Sequence, residues 1–249
     1  MKKTFIVLCV VLACLSPVFA GGSKEKTEGY VFAADATWPP LEFVDNGVLT
    51  GFEVELMPLI GEKVGVTMTV KNIPWDTIFA GLANGAYDGV ASGVTVTDER
   101  KLTMDFSTPI LSAGQVVIVR AADVATVKGI KDLSGKKIGV QIGTTGDFAL
   151  DGYDVVKRAY DDIGLAIEDM MNGNLDAAVC DSLIASDFVL ANDNYKGKIT
   201  VVGEPFTEED IAIAVKKGNT VLLNLINDGL AKMEADGSLA ALKAKWNIL

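Results

Sequence analysis

Histidine is absent from all 249 residues. That gap removes the commonest metal ligand and the side chain that most often moves protons near neutral pH. Cysteine is almost absent too, with Cys9, Cys14 and Cys180 as the whole set. Two of these fall in an N-terminal leader, so the rest of the chain keeps a single thiol and cannot close an internal disulfide. Cys180 then reads as a small buried hydrophobe. Basic residues are in deficit, 22 Lys and Arg against 33 Asp and Glu, for a net charge of −11. Nucleic acid, which needs a basic surface, is therefore excluded as a partner. The run Phe5 to Leu15 is apolar without a break, but falls short of the roughly 20 residues a membrane span requires. No nucleophile–base pair is evident, and without histidine any catalysis would rest on carboxylates or lysine. No catalytic residue, metal site or cofactor is expected.

What is present begins with an address. Lys2 and Lys3, the apolar run, Pro17 and then Val18-Phe19-Ala20 have the order of a cleavable signal peptide over residues 1–20. Val11-Leu12-Ala13-Cys14 offers a lipidated Cys14 as the alternative. Either route sends the product out of the cytoplasm, and the periplasm is the expected location. Residues 21–29 are polar and form a flexible leader. Without residues 1–20 the chain carries 20 basic against 33 acidic side chains, a net charge of −13. A monomer is expected.

From Tyr30 onward short apolar runs alternate with helical patterns, the signature of an α/β fold around mainly parallel sheets. Tyr30 to Ala34 reads as a strand. Phe52, Leu56, Leu59, Ile60 and Val64 recur at helical spacing, with Pro58 among them predicting a kink or a late start. Val66 to Val70 and Gly89 to Ala91 read as strands around a helix over Asp76 to Asn84. A second series follows: strand Ile138 to Gln141, helix Asp162 to Asn172, strand Ala177 to Asp181, and a helix capped by Ser182. Asn84-Gly85 and Asn172-Gly173 end helices at the same point of each series, which predicts two lobes of similar construction. Val221 to Trp246 is an interrupted amphipathic helix expected to return to the first lobe. The expected division is lobe 1 over residues 30–109 and 208–249, lobe 2 over 115–202, and hinge crossings at 110–114 and 203–207.

The strongest local signal is Gly93-Val94-Thr95-Val96-Thr97-Asp98-Glu99-Arg100-Lys101 followed by Asp105-Phe106-Ser107-Thr108-Pro109. It resembles the signature of the polar amino-acid-binding proteins of ABC importers, the family of glutamine, histidine and lysine/arginine/ornithine receptors. Asp35 to Phe43, Gly51 to Val54, Gly139 to Thr145, Asp176 to Asp181 and Gly237 to Trp246 fall in the same family order. The resemblance thus runs from Tyr30 to the end of the chain. It implies a two-lobed, type II periplasmic-binding-protein-like fold that closes around a free L-amino acid and hands it to an ABC permease in the inner membrane. A sensor for chemotaxis, or a dehydratase-like enzyme on the same fold, are the alternatives.

The residue chemistry fits such a ligand. Arg100 offers a planar fork for a carboxylate. Thr95, Thr145 and backbone N–H groups at a helix start after Gly143 can complete an anion cradle. Asp181, at the end of a second-lobe strand, can pair with the ammonium, helped by the Thr95 hydroxyl and the Gly93 carbonyl. Each residue has a plainer reading: Arg100 as a surface ion pair, Asp181 as a helix cap, Asp35 as a turn carboxylate, Trp38 and Trp75 as core. By resemblance, Trp38 and Trp75 sandwich the ligand side chain and Asp35 meets a donor at its far end. Ser92, Gly93, Gln141 and Thr144 complete the expected set. Gln141 and Cys180 stand where glutamine receptors often carry lysine and histidine, which favours a basic ligand over glutamine.

Overall fold

The computed structural model describes residues 29–248. The expected signal peptide, nearly all of the leader and the alternative lipid site at Cys14 lie outside the described residues. No helix among the described residues is long and apolar enough to cross a membrane.

Two five-stranded sheets form the centres of two α/β lobes. In the first, the order is Met68–Asn72, Tyr30–Ala34, Gly89–Val90, Ala214–Lys216, Met104–Phe106. The first three strands are parallel, and Ala214–Lys216 runs against both of its neighbours. The second sheet repeats this plan as Val156–Tyr160, Lys137–Gln141, Ala177–Asp181, Gln115–Arg120, Ile199–Val202, with Gln115–Arg120 as the reversed strand. In both sheets the reversed strand is the one that enters just after the chain has crossed over. Buried parallel strands have both faces covered, hence their continuous apolar runs, such as Phe32 to Ala34.

The chain crosses through a two-stranded ribbon, Leu111–Ala113 antiparallel to Glu209–Ile211. The outgoing strand falls within the expected 110–114. The returning one lies at 209–211 rather than 203–207, because Phe206 and Thr207 still bond to Gln115 at the edge of the second lobe.

Helix Phe52–Val64 is continuous through Pro58, with no late start. Pro58 faces solvent, so the helix carbonyl left without a donor can meet water. Both Asn-Gly pairs end helices, at Asn84 and just after Met171. Ser182 is not a cap: it is the first residue of helix Ser182–Leu190, and Asp181 occupies the N-cap position without a side-chain capping bond. The interrupted tail forms helices Thr220–Ala235 and Ser238–Lys245. It returns to the first lobe through Lys63–Asp236, Lys245–Glu55 and an edge-on contact of Trp246 with Phe43.

Candidate functional site

The strand ends that carry Asp35, Ser92, Gln141 and Asp181 open toward the space between the lobes, the usual ligand edge of open α/β sheets. Beneath the first-lobe side, two fully buried glutamates hold the Ser92-Gly93 turn. Glu42 accepts from the Ser92 hydroxyl at 2.8 Å, and Glu53 accepts from the Gly93 N–H at 2.9 Å. Burial pushes Glu42 well above the usual carboxylate range, helped by the charge of Glu53, and lifts Glu53 to about 7. The Ser92 hydroxyl accepts the Asp35 N–H at 2.8 Å, so it serves the framework and not an open donor position. Gly93 has φ 57° and lies against the Trp38 ring, where a Cβ would come within 3.0 Å of ring carbon. Both features require glycine.

Arg100 sits in the short helix Asp98–Lys101, whose N-cap Thr97 accepts the Arg100 N–H at 3.1 Å. Its guanidinium is no surface ion pair. One nitrogen donates to the Thr95 carbonyl at 3.0 Å and another to the Gly143 carbonyl of the opposite lobe at 3.4 Å. The guanidinium carbon also lies 5.5 Å from the Trp75 ring centre and 5.1 Å from that of Phe79, a cation–π arrangement. Burial lowers the Arg100 pKa, and the charges of Asp181 and Glu209 oppose that shift.

Asp181 is buried, and one carboxylate oxygen has no hydrogen-bond partner. Burial and the neighbouring Glu209 raise its pKa to about 7. A buried acceptor left open while the helix behind it goes uncapped by this side chain argues against the capping role. The charges of Arg100 and Asp181, one from each lobe, lie close enough for each to stabilise the other's ionised form.

Gln141 is a clasp between lobes. Its amide nitrogen donates to Asp35 at 3.0 Å and to the Asp161 carbonyl at 3.0 Å, while its oxygen accepts from the Trp38 indole N–H. Asp35 is buried, and burial lifts its pKa to about 6. Thr144 is the N-cap of helix Thr145–Ala149, accepting from Asp147 N–H at 3.2 Å and donating to the Gln141 carbonyl at 2.8 Å. Trp38 and Trp75 stack with centroids 6.1 Å apart and planes 10° from parallel. A planar group between two rings needs about 7 Å, two contacts of roughly 3.5 Å. The rings therefore have to part by about 1 Å to hold a side chain between them.

Sequence reasoning missed Glu209, Gln115, Thr207 and Phe79. Glu209 accepts from Thr145 at 2.7 Å, Thr95 at 2.8 Å, Thr207 at 2.7 Å and the Gln115 amide at 3.4 Å. Two cavities flank this centre. One of about 780 Å³ is lined by Arg100, Thr95, Thr145, Phe79 and Glu209. The other, about 540 Å³, lies beyond Trp75 and is walled by Asp35, Asp76, Asp161 and Asp162.

The sequence and the fold have close parallels. The L-cystine-binding protein TcyJ of Escherichia coli (strain K12) is 38% identical over 90% of this chain and 85% of its own length. An ancestral arginine-binding protein bound to arginine superposes with TM-score 0.82 at 36% identity, over 88% of this chain and 97% of that one. The arginine-, lysine-, histidine-binding protein ArtJ of Geobacillus stearothermophilus gives TM-score 0.82 at 32% identity, over 88% and 95%. The profile of one family matches residues 30–248. With two lobes of matching plan joined by a paired ribbon and charged groups of both signs facing one interlobe space, the chain belongs to the bacterial extracellular solute-binding proteins, family 3.

Proposed function

We propose that the chain binds a free polar L-amino acid between its lobes and delivers it to an ABC-type permease from the periplasm, with basic amino acids favoured over glutamine. The observation that carries this reading is a guanidinium from one lobe, Arg100, within electrostatic reach of a buried carboxylate from the other, Asp181, one of whose oxygens has no partner. A zwitterion presents a carboxylate and an ammonium to those two groups at once, and only closed lobes satisfy both, so binding favours closure. Gly93 and Thr95 supply further contacts to the ammonium end, and Thr145 lies at the seam. Asp35 faces the acidic cavity beyond Trp75, the direction in which a cationic side chain extends. Trp38 and Trp75 form the wall along its stem. Gln141, Ser92 and Thr144 act chiefly by holding these groups in place. The arginine-binding relatives support the basic preference, and the cystine-binding relative widens it to a second zwitterionic end.

A thermal-shift screen of the twenty amino acids plus L-cystine tests the reading. A ligand that prefers the native state raises the melting temperature, by an amount equivalent to about 2.7 kcal/mol at a hundredfold excess over Kd. Arginine or another basic amino acid is expected to lead. A screen in which no amino acid shifts the transition contradicts the proposal.

A further inference from the structure

Glu209 occupies a position that the chemistry of a simple carboxylate cradle does not call for. It is 8% exposed, opens the returning strand of the ribbon opposite Ala113, and lines the same cavity as Arg100. Four side chains from three parts of the chain converge on its two oxygens. Thr95 comes from the first lobe, Thr145 and Gln115 from the second, and Thr207 from the segment that leads from the second lobe into the returning strand.

The consequence lies in proton counting. A hydroxyl has one proton to donate and two lone pairs with which to accept. Thr95 and Thr145 stand 2.8 and 2.7 Å from Oε2 of Glu209, and a carboxylate oxygen can only accept. Both threonine protons are thereby committed. The 3.3 Å approach between the two hydroxyl oxygens then adds no bond of its own. The Thr145 hydroxyl also accepts from the Gln115 amide at 3.2 Å, which leaves it one lone pair against the two of Thr95. Toward a ligand both threonines present lone pairs, which receive an N–H and repel a carboxylate oxygen. Thr145 thus cannot serve as the anion donor that its place after Gly143 suggests. Charge points the same way. Asp35, Asp181 and Glu209 are all buried, and Arg100 is the cation that feels the charges of Asp181 and Glu209. Arginine reduces that excess of negative charge, whereas an amino acid of zero net charge, L-cystine included, leaves it unchanged; what cystine shares with arginine is a second protonated nitrogen to donate to these acceptor oxygens.

We propose that Glu209 is a specificity-determining residue: by holding the protons of Thr95 and Thr145 it turns both hydroxyls into acceptors, and together with Asp35 and Asp181 it makes the site select amino acids that carry two protonated nitrogens. The inference rests on the cleft being an amino-acid site. It differs from a purely structural role for Glu209 as a tie between ribbon and lobes, because such a tie affects all ligands alike.

Calorimetric titration at pH 7.5 with four probes separates these. L-arginine and L-cystine each carry two protonated nitrogens, and L-citrulline and L-glutamine carry one. In the wild type, arginine or cystine is expected to bind at least tenfold more tightly than both neutral probes. In Glu209→Gln that preference is expected to fall by tenfold or more, with the neutral probes losing least. Equal binding of arginine, cystine and citrulline by the wild type overturns the inference without need of a variant. So does a Glu209→Gln protein whose preference stays within threefold of the wild type. Should Glu209→Gln not fold, Thr145→Val, which removes one of the two acceptors, is expected to lower the same ratio, and an unchanged ratio overturns the inference. A wild type that binds none of the probes and no amino acid in the thermal screen instead sinks the amino-acid reading itself.

Discussion

Asp181 shows how a single side chain can be held in readiness. Its carboxyl sits in a dry position next to Glu209, which raises its pKa to about 7, and one oxygen is left without a partner. An ammonium placed there favours the carboxylate and so drives off the proton. Because the free group titrates near 7 and the occupied one below it, affinity rises with pH through that range and levels off above it. Binding is expected to be about tenfold weaker at pH 6 than at pH 8, with close to one proton released per ligand at pH 6. Titrations in buffers of different ionisation enthalpy measure both quantities. A flat affinity from pH 6 to pH 8 contradicts the assignment of Asp181 to the ammonium. Asp181→Asn should bind weakly and lose most of the dependence; Asp35, near 6, contributes the remainder.

At this scale the sequence was informative wherever chemistry and local order coincide. Asp181 ends an apolar strand, which points it to the edge where open α/β sheets take ligands; Arg100, in a charged turn, reads as a surface ion pair on local chemistry, and its ligand role is what the family resemblance implies. Glu209 could be placed by neither route. Its importance depends on which threonines the returning strand meets, and Thr95 lies 114 positions away in the chain. A carboxylate just before the apolar stretch Ile211 to Val215 was the only visible sign. The Trp38–Trp75 pair was found, but its spacing was not, since ring separation is set by how the two lobes and the Gln141 clasp settle together.

Among the elements, the contact of helices Phe52–Val64 and Thr220–Ala235 ties the C-terminal tail to the first lobe. It depends on Gly229, where a Cβ would come within 2.7 Å of an Ile60 side-chain carbon and 3.1 Å of the Ile60 carbonyl oxygen. Gly229→Val has to push the helices apart, at a cost of about 1–3 kcal/mol. The thermal midpoint is expected to fall by several degrees, with ligand preference unchanged because the contact is remote from the cleft. An unaltered midpoint would show that the helices have room to spare. The helices and most of the parallel strands were legible because their burial follows a period of 3.6 or a continuous apolar run. The reversed strands Gln115–Arg120 and Ala214–Lys216 were not. Their role comes from entering a sheet already built by other strands, and nothing local announces a partner so far away.

For the whole molecule, the repeated strand order and the doubled Asn-Gly turns describe two lobes built to one plan, with the ribbon as the shared joint. The interlobe bonds fall into two groups: the clasp of Gln141 with Asp35 and Trp38, and the cluster of Thr95, Thr145 and Arg100 around Glu209. Arg100 in the second group and Asp181 of the opposite lobe are the two opposite charges on which the proposed grip depends. The most direct test is a calorimetric titration of Arg100→Ala with the amino acid that most stabilises the wild type. Removing one partner of a desolvated charge pair costs about 2–5 kcal/mol, so affinity is predicted to fall by at least roughly 30-fold. Affinity equal to that of the wild type would mean that the ligand carboxylate is held elsewhere and that the grip across the lobes is wrong.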